Sequence, residues 1–125
     1  MKILLDTSFI LTCIKQKIDF PSLADEIFDE KIEWLYPFEV EQELKKISVR
    51  KGEKTKDKLS AKVSLEFIKT LNPKKIKLNN ENVDMGIVEY AEKNKVIIAT
   101  LDKELKSKTK SRILTIRNHK NISLI

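Results

Sequence analysis

The sequence is poor in the residues that build cross-links and zinc sites, and it has no long apolar run. Its single cysteine, Cys13, excludes an intramolecular disulfide, and one histidine, His119, is too few for a Cys/His zinc site. No hydrophobic stretch approaches the length of a transmembrane helix, and the few residues before Asp6 are too short for the apolar segment of a signal peptide. We therefore expect a cytoplasmic protein with no membrane partner.

What is present fits one domain spanning residues 1–125, with 41% hydrophobic residues to form one core.

The charge is unevenly distributed along the chain. Residues 45–77 carry twelve basic residues against three acidic ones, residues 103–120 are also basic, and residues 19–43 are acidic. A basic surface favours a polyanionic partner, although a solvated lysine face would give the same pattern. Because only three basic residues are arginines, we expect attraction to a phosphate backbone rather than base recognition.

Strand and helix patterns alternate along the chain. Apolar runs predict strands at 2–5, 33–36, 75–78, 96–99 and 113–116, and helical periodicity predicts helices after Asp6, at 21–30, after Pro37, and at 59–71, 83–93 and 102–108. Residues 48–58, with Gly52 and five basic residues, are predicted to form a mobile loop. Alternation of this kind predicts a three-layer α/β/α sandwich with a central, mostly parallel sheet of four to five strands.

Apolar spacing also predicts which side chains enter the core. A stripe of four apolar residues is predicted to bury one face of the 59–71 helix, and Leu23 and Ile27 are predicted to point inward from the second helix. Three aromatic residues at 34, 36 and 38 could stack on bases, but their alternation next to a strand favours the core. The stripe comprises Leu59, Val63, Phe67 and Leu71, and the aromatic residues are Trp34, Tyr36 and Phe38.

Four acids stand where apolar residues or strand ends are expected. Asp6 follows the first strand directly, and Asp102 comes shortly after the strand at 96–99. Glu43 and Asp84 each interrupt the apolar face of a predicted helix. In an open parallel sheet, ligands bind beyond the carboxyl ends of the strands, where the strand order reverses. We therefore expect all four carboxylates to meet at that edge.

Each aspartate also has a structural interpretation. Asp6, Asp84 and Asp102 lie where helices begin, and aspartate at such positions caps backbone N–H groups. Four carboxylates in one partly buried cleft would repel one another unless a cation neutralised them. One or two Mg²⁺ or Mn²⁺ ions fit an all-oxygen ligand set and support attack of water on a phosphodiester. The acids together thus favour a metal-dependent phosphodiesterase.

The motifs around these acids resemble those of PIN-domain nucleases. The segment Asp6-Thr7-Ser8-Phe9-Ile10-Leu11 is similar to the family's first motif, Glu43-Leu44 to its second, Asp84 with Ile87 and Ala91 to its third, and Thr100-Leu101-Asp102 to its fourth. The resemblance spans the chain. It extends to the small-subunit processome endonucleases that cut precursor ribosomal RNA, and to their archaeal relatives, through residues 14–19, 102–106 and 118–120.

The resemblance implies roles for particular residues. Asp6, Glu43, Asp84 and Asp102 would be the catalytic metal ligands, with Glu104 as a further, peripheral acid. Met85 stands where the subfamily often has a second aspartate, which implies weaker binding of a second metal. Supporting roles in orienting water or a carboxylate fall to Thr7, Ser8 and Thr100, and the candidate RNA-binding residues are Lys45, Lys46, Arg50, Lys51, Lys54, Lys56 and Lys58.

The function predicted from the sequence is metal-dependent endoribonuclease activity, with precursor ribosomal RNA as substrate and a homodimer as one candidate assembly. A toxin ribonuclease inhibited by an antitoxin protein would carry the same acids, and a PIN-fold RNA-binding scaffold would have lost some of them. A phosphoacceptor receiver domain is the remaining alternative, but the acidic pair and acceptor aspartate that it needs are not apparent. Cys13 is predicted to be inert packing, and His119 a surface residue.

Overall fold

The computed structural model describes all 125 residues, and the chain forms twelve helices and strands. In chain order they are β1 (Lys2–Leu5), α1 (Thr7–Lys15), α2 (Phe20–Ile27), β2 (Glu33–Pro37), α3 (Phe38–Val49), α4 (Thr55–Thr70), β3 (Lys74–Ile76), α5 (Val83–Asn94), β4 (Ile97–Ala99), α6 (Lys103–Lys108), β5 (Ile113–Arg117) and β6 (Asn121–Leu124). No helix is both long and apolar enough to cross a bilayer.

The strands form one six-stranded sheet in the order β3-β2-β1-β4-β5-β6. The first five strands are parallel, and only β6 is antiparallel, to β5. The chain moves outward from β1 to β2 and β3, then returns to the other side of β1 with β4. The strand order therefore reverses between β1 and β4, and the crevice that can bind a ligand lies beyond their carboxyl ends.

Helices cover both faces of the sheet, which confirms the predicted α/β sandwich. The larger core lies under α1 to α4 and includes Ile3 and Leu5 of β1, while Leu4 faces the smaller core under α5 and α6. In the larger core the ring of Phe20 contacts three aromatic rings edge-on, at centroid distances of 5.3 to 5.6 Å. These rings belong to Phe9, Trp34 and Phe67.

The sequence pattern undercounted the strands by missing β6. The signal was present, because residues 121–124 alternate polar and apolar side chains and Ile122 is buried. The turn before β6 contains neither glycine nor proline. Instead, Asn118 and His119 adopt left-handed backbone conformations, with φ of 55° and 59°. Asparagine tolerates this region well, but it marks a hairpin turn less clearly than a glycine does.

The predicted mobile loop at 48–58 is wrong in extent. Helix α3 continues to Val49 and α4 begins at Thr55, so only residues 50–54 connect them. Gly52 adopts a φ of +82° in this short connection, a conformation open to glycine at little cost. Of the five basic residues in this region, Arg50, Lys51 and Lys54 lie in the connection, and Lys56 and Lys58 lie in the first turn of α4.

The predicted inward stripe of α4 is wrong for Leu59 and Val63, whereas Phe67 and Leu71 pack against the larger core as predicted. Ser60, Ala61, Ser64 and Ile68 are buried, whereas Leu59 is 60% exposed and Val63 45% exposed. The small side chains let α4 approach α1 and α3 closely, and the Ser64 hydroxyl donates to the Ser60 carbonyl within the helix at 2.7 Å. In α2, similarly, Ala24 is buried while Ile27 is 39% exposed.

Shortening two apolar residues of α4 tests which face is buried. Ile68→Ala should lower the free energy of unfolding by about 2–5 kcal/mol, because Ile68 has no exposed surface and its loss leaves a cavity. Leu59→Ala should change it by less than about 0.5 kcal/mol, as expected for an exposed position. Urea denaturation of both variants measures the difference, and equal losses would contradict the observed orientation of α4.

Candidate active site

The four predicted acids line one cleft at the carboxyl ends of β1 and β4. This cavity of about 260 Å³ contains the side chains of Asp6, Glu43, Asp84 and Asp102. Helices α1, α3 and α5 contribute its remaining walls. Those walls include Thr7 and Ser8 and three apolar residues that were not predicted as part of the site, Leu11, Ile47 and Val83.

Asp6 is the innermost acid, with only 7% of its surface exposed. Its Oδ2 atom accepts a hydrogen bond of 2.6 Å from the Thr100 hydroxyl and one of 3.1 Å from the Ser8 hydroxyl. The backbone N–H of Asp6 donates to the Ala99 carbonyl at 3.0 Å, which joins the end of β1 to the end of β4. One side of the carboxylate is thus fixed by the protein.

Two of the supporting residues connect the Asp6 segment to the Asp102 segment. The Leu101 N–H donates to the Ser8 hydroxyl at 3.1 Å, and the Asp102 N–H donates to the Thr100 hydroxyl at 3.1 Å. The hydroxyl oxygens of Ser8 and Thr100 are themselves 3.3 Å apart. Thr7, by contrast, lines the cleft and is buried. The hydroxyls of Ser8 and Thr100 therefore couple the two acid-bearing turns.

Helix capping accounts for only one of the three aspartates. Asp102 caps α6, because its Oδ1 atom accepts from the backbone N–H groups of Glu104 and Leu105. Asp6 precedes α1 but makes no side-chain cap. Asp84 lies within the first turn of α5, where Asn82 is the cap instead. Capping thus leaves the placement of Asp6 unexplained, and Asp84 keeps only the favourable dipole interaction of an acid in the first turn of α5.

The acids raise one another's affinity for protons. Burial raises the pKa of Asp6 above its usual range, with a smaller contribution from the charge of Asp84, even though the hydrogen bonds from Thr100 and Ser8 oppose the shift. Desolvation also raises the pKa of Asp84, followed by repulsion from Asp102, while Lys108 acts in the opposite direction. A cleft with these properties attracts either protons or a cation.

Glu43 and Glu104 stand further out. Glu43 is exposed at the rim of the cleft, on the edge of the buried face of α3 rather than within it. Glu104 is exposed and does not line the cleft, although its charge contributes to the raised pKa of Asp84. The structure therefore groups Asp6, Asp84 and Asp102 inside, Glu43 at the opening, and Glu104 at the periphery.

A hard divalent cation fits these ligands, although the protein does not form a closed cage. No three of its acidic, cysteine or histidine side chains are close enough together to hold an ion alone. Mg²⁺ usually keeps several waters and binds through one or two carboxylates together with substrate phosphates. Asp6 and Asp102, both held by hydrogen bonds, are suited to provide those carboxylates, with Asp84 and Glu43 across the cleft.

The predicted RNA-binding residues lie on α3, α4 and their connection. Lys45, Lys46 and Lys56 are exposed on the helices, and Lys51 and Lys54 are exposed in the connection. Lys45 lies 3.9 Å from Glu41, so its charge is partly balanced. Arg50 follows the last residue of α3, and Lys58 lies in α4, partly covered. Of these cations, Lys46 lies about one turn beyond Glu43 on α3 and Arg50 about two turns beyond it.

A larger cavity, of about 750 Å³, lies at the opposite edge of the sheet. Its lining includes Val96 and Ile97 at the start of β4 and Arg112 just before β5, so it opens at the amino ends of the strands. Its one carboxylate, that of Glu92, accepts hydrogen bonds from the Thr109 hydroxyl and the Lys110 N–H. It has no cluster of acids, and the smaller cleft is therefore the candidate active site.

Removing the Asp6 charge should stabilise the metal-free protein at neutral pH. A raised pKa in the folded state means that folding favours the protonated form, so the penalty for ionised Asp6 is absent in acid and grows as pH rises through the folded pKa. In EDTA, Asp6→Asn should therefore raise the melting temperature at pH 7.5 and change it little near pH 3.

Asp57 provides a control of opposite sign. A hydrogen-bonded ion pair with Lys15 lowers the Asp57 pKa, so its stabilisation is present above the unfolded pKa and is lost as pH falls through the folded one. Asp57→Asn should lower the melting temperature at pH 7.5. A pH series of thermal melts checks both variants, and a lower melting temperature for Asp6→Asn at pH 7.5 would contradict electrostatic strain in the cleft.

Comparison with known proteins agrees with this fold. Ribonuclease VapC4 of Methanocaldococcus jannaschii is 34% identical over 108 residues, which cover 86% of this chain and 81% of that protein. The solved structure of the PIN domain endonuclease Utp24 superposes with a TM-score of 0.78 at 25% identity, covering 98% of this chain and 90% of the other. The model of the PIN-like domain family matches residues 3–119, and the chain therefore belongs to that family.

Proposed function

We propose that the protein is a divalent-metal-dependent endoribonuclease that hydrolyses phosphodiester bonds in RNA. The observation that carries this proposal is the convergence of Asp6, Glu43, Asp84 and Asp102 on one cleft, at the edge where the strand order reverses. Membership in the PIN-like family and the likeness to a ribonuclease and an endonuclease support it. Cations on α3 and α4 give RNA an attractive approach to the cleft.

The residues of the cleft have different roles in the proposed reaction. Mg²⁺ or Mn²⁺ bound there, as one or two ions, supplies neutralisation of a phosphodiester and activation of water. The protein holds the Asp6 carboxylate through Thr100 and Ser8, and it holds Asp102 through the backbone of α6. Fixed ligands lose little conformational entropy when an ion or a phosphate binds. Exposed Glu43 faces the approach of the substrate from the rim.

Precursor ribosomal RNA in the cytoplasm is the substrate that we propose, since the sequence resembles processome endonucleases and the PIN domain endonuclease Utp24 matches nearly the whole chain. The alternative is a toxin ribonuclease with an antitoxin protein as inhibitor, and the 34% identity to Ribonuclease VapC4 is compatible with it. An antitoxin would be encoded beside this protein and would purify with it. Absence of such a pair, together with cleavage of precursor ribosomal RNA, would favour the first proposal.

Cleavage should depend strictly on a divalent metal. EDTA should abolish hydrolysis of a structured RNA, and Mg²⁺ or Mn²⁺ should restore it and raise the melting temperature, because ligands that bind only the folded state stabilise it. Loss of a group that only positions a metal ligand reduces activity by roughly 10- to 100-fold. Asp6→Asn removes a ligand itself and should therefore reduce activity by more than that. The assay follows RNA cleavage by gel electrophoresis with and without metal.

Matched variants separate metal binding from other effects. Asp102→Asn should lose activity as Asp6→Asn does, while asparagine keeps much of the α6 cap. The loss of activity in Ser8→Ala should be roughly 10- to 100-fold, since the Ser8 hydroxyl positions the Asp6 carboxylate by a hydrogen bond. Glu104→Gln should be milder, because Glu104 does not line the cleft. Cleavage that survives full chelation, or full activity of Asp6→Asn, would refute the proposed site.

The basic residues between α3 and α4 should contribute to RNA affinity rather than to the chemical step. Replacing Lys51, Lys54, Lys56 and Lys58 together by alanine should weaken binding and flatten its salt dependence, by up to about one unit of log–log slope for each RNA phosphate that the variant no longer neutralises. Single-turnover cleavage at saturating RNA should change little, because these residues do not line the cleft. An unchanged salt slope would mean that these lysines are only a solvated surface.

A further inference from the structure

Phe38 is the only exposed aromatic side chain of the protein. It is 47% exposed, whereas Trp34 and Tyr36, on the preceding strand, are buried at 6% and 3%. The prediction of a core position was therefore correct for Trp34 and Tyr36 and wrong for Phe38. Phe38 is the first residue of α3 and follows Pro37, the last residue of β2. Its ring thus stands at the same edge of the sheet as the four acids.

The ring of Phe38 lines a hollow that adjoins the catalytic cleft. This hollow has a volume of about 320 Å³, near the lower end of the range typical of small-molecule sites. Glu43 and Val83 line both the hollow and the cleft, so the two are contiguous. The hollow is therefore large enough for one nucleotide rather than a folded RNA. Its full lining is Phe38, Glu39, Gln42, Glu43, Lys46, Arg50 and Val83.

The polar side chains of the hollow form a row along α3. Phe38, Gln42, Lys46 and Arg50 are spaced four residues apart, about 6 Å of helix rise at each step. The Gln42 amide can both donate and accept hydrogen bonds, as recognition of a base edge requires. Lys46 and Arg50 follow it with positive charge. The row thus passes from an aromatic face through an amide to two cations.

The hollow carries two carboxylates, Glu39 and Glu43, and two cations, Lys46 and Arg50, so an anion is favoured at the end of the hollow where Lys46 and Arg50 lie. Lys46 takes part in none of the six ion pairs of the protein. Arg50 pairs with Glu53 at 3.4 Å, with more than half of its side chain exposed. Glu39 already accepts a hydrogen bond from the Leu78 N–H at 3.2 Å. A phosphate approaching Lys46 therefore needs to break no ion pair.

A single exposed hydrophobic residue is common on protein surfaces and is not by itself a site. Val49 and Leu59 are exposed more fully than Phe38, at 74% and 60%, yet neither lines the hollow or the cleft. Phe38 differs from them because its ring, an amide and two cations share one concave surface with a catalytic acid. That combination is the one with which proteins bind unpaired nucleotides.

We propose that this hollow is a nucleotide subsite, in which one unpaired base of the substrate stacks on Phe38 while Lys46 and Arg50 hold flanking phosphates. The proposal rests on the proposed function, and it defines the substrate class further. A base within a duplex has both faces covered by its neighbours, so it cannot stack on the ring. The enzyme therefore selects RNA with an unpaired nucleotide next to the bond that lies in the cleft.

Equilibrium binding without metal tests the subsite separately from catalysis. Wild-type protein in EDTA is titrated into a short unstructured oligoribonucleotide that contains one 2-aminopurine, and into the same strand paired with its complement. Phe38→Ala should weaken single-strand binding by about 5- to 150-fold, the range measured for loss of one stacked base. Duplex binding should not change. Wild type should quench 2-aminopurine fluorescence, and Phe38→Ala should not.

Three further variants and one control variant identify the interaction. Phe38→Trp keeps an aromatic face and should retain affinity and quenching, whereas Phe38→Leu keeps apolar bulk alone and should behave like Phe38→Ala. Lys46→Ala should reduce the salt slope but leave quenching at saturation intact. Leu59→Ala, an exposed apolar control on α4, should match wild type in every measurement.

The outcomes separate the two proposals. Unchanged single-strand affinity of Phe38→Ala, full affinity of Phe38→Leu, or equal losses for single strand and duplex would overturn the subsite, whether or not the protein cleaves RNA. A wild-type protein that binds and quenches the oligonucleotide but cleaves nothing with Mg²⁺ or Mn²⁺ would keep the subsite and overturn the endoribonuclease. Retention of affinity by Phe38→Trp together with its loss in Phe38→Leu would support stacking.

Discussion

The hydrogen bond from Thr100 to Asp6 joins the two halves of the protein at the point where its chemistry is located. The sheet extends from β1 in one direction and from β4 in the other, and this 2.6 Å contact lies just beyond the ends of both strands. Ser8 and the backbone of Asp102 bind to the same pair of groups. The positions of Asp6 and Asp102 are therefore consequences of the β1–β4 pairing rather than of a flexible loop.

That arrangement carries an electrostatic cost. Asp6 is almost fully buried, and Asp84 and Asp102 face each other across a small cavity, so the ionised cleft opposes folding at neutral pH. Apolar packing on both faces of the sheet supplies the opposing stability, with Ile3 and Leu5 on one side and Leu4 on the other. Repulsion between the carboxylates is relieved when a cation binds. The same carboxylates that lower the stability of the metal-free fold therefore raise its affinity for a cation.

The sequence was sufficient to predict the fold class, because its signals are local. Apolar runs mark β1 and β4, and alternation with helical segments implies the parallel sheet. The four acids were also predictable as a set, since each breaks a pattern that its neighbours establish. The prediction failed where tertiary packing decided the outcome. In α4 the apolar stripe of Leu59 and Val63 faces outward, because close approach of α1 and α3 requires the small residues Ser60, Ala61 and Ser64.

Phe38 was misassigned for a related reason. Period-two alternation places Trp34, Tyr36 and Phe38 on one face of a continuing strand, but β2 ends at Pro37 and the helix that begins there turns the next side chain out of the core. The predicted helix after Pro37 was itself the available signal against a core position for Phe38.

Because the chain changes from strand to helix at Phe38, the side chains of α3 point in three different directions. Val40 and Leu44 pack into the larger core, Glu43 reaches the rim of the acid cleft, and the row of Phe38, Gln42 and Lys46 borders the adjoining hollow. Because these side chains project from one rigid helix, their spacing is set by helix geometry. A substrate that spans the cleft and the hollow would therefore meet a fixed distance between the scissile phosphate and the stacked base. Under the proposed function, that fixed distance would provide selectivity for RNA shape.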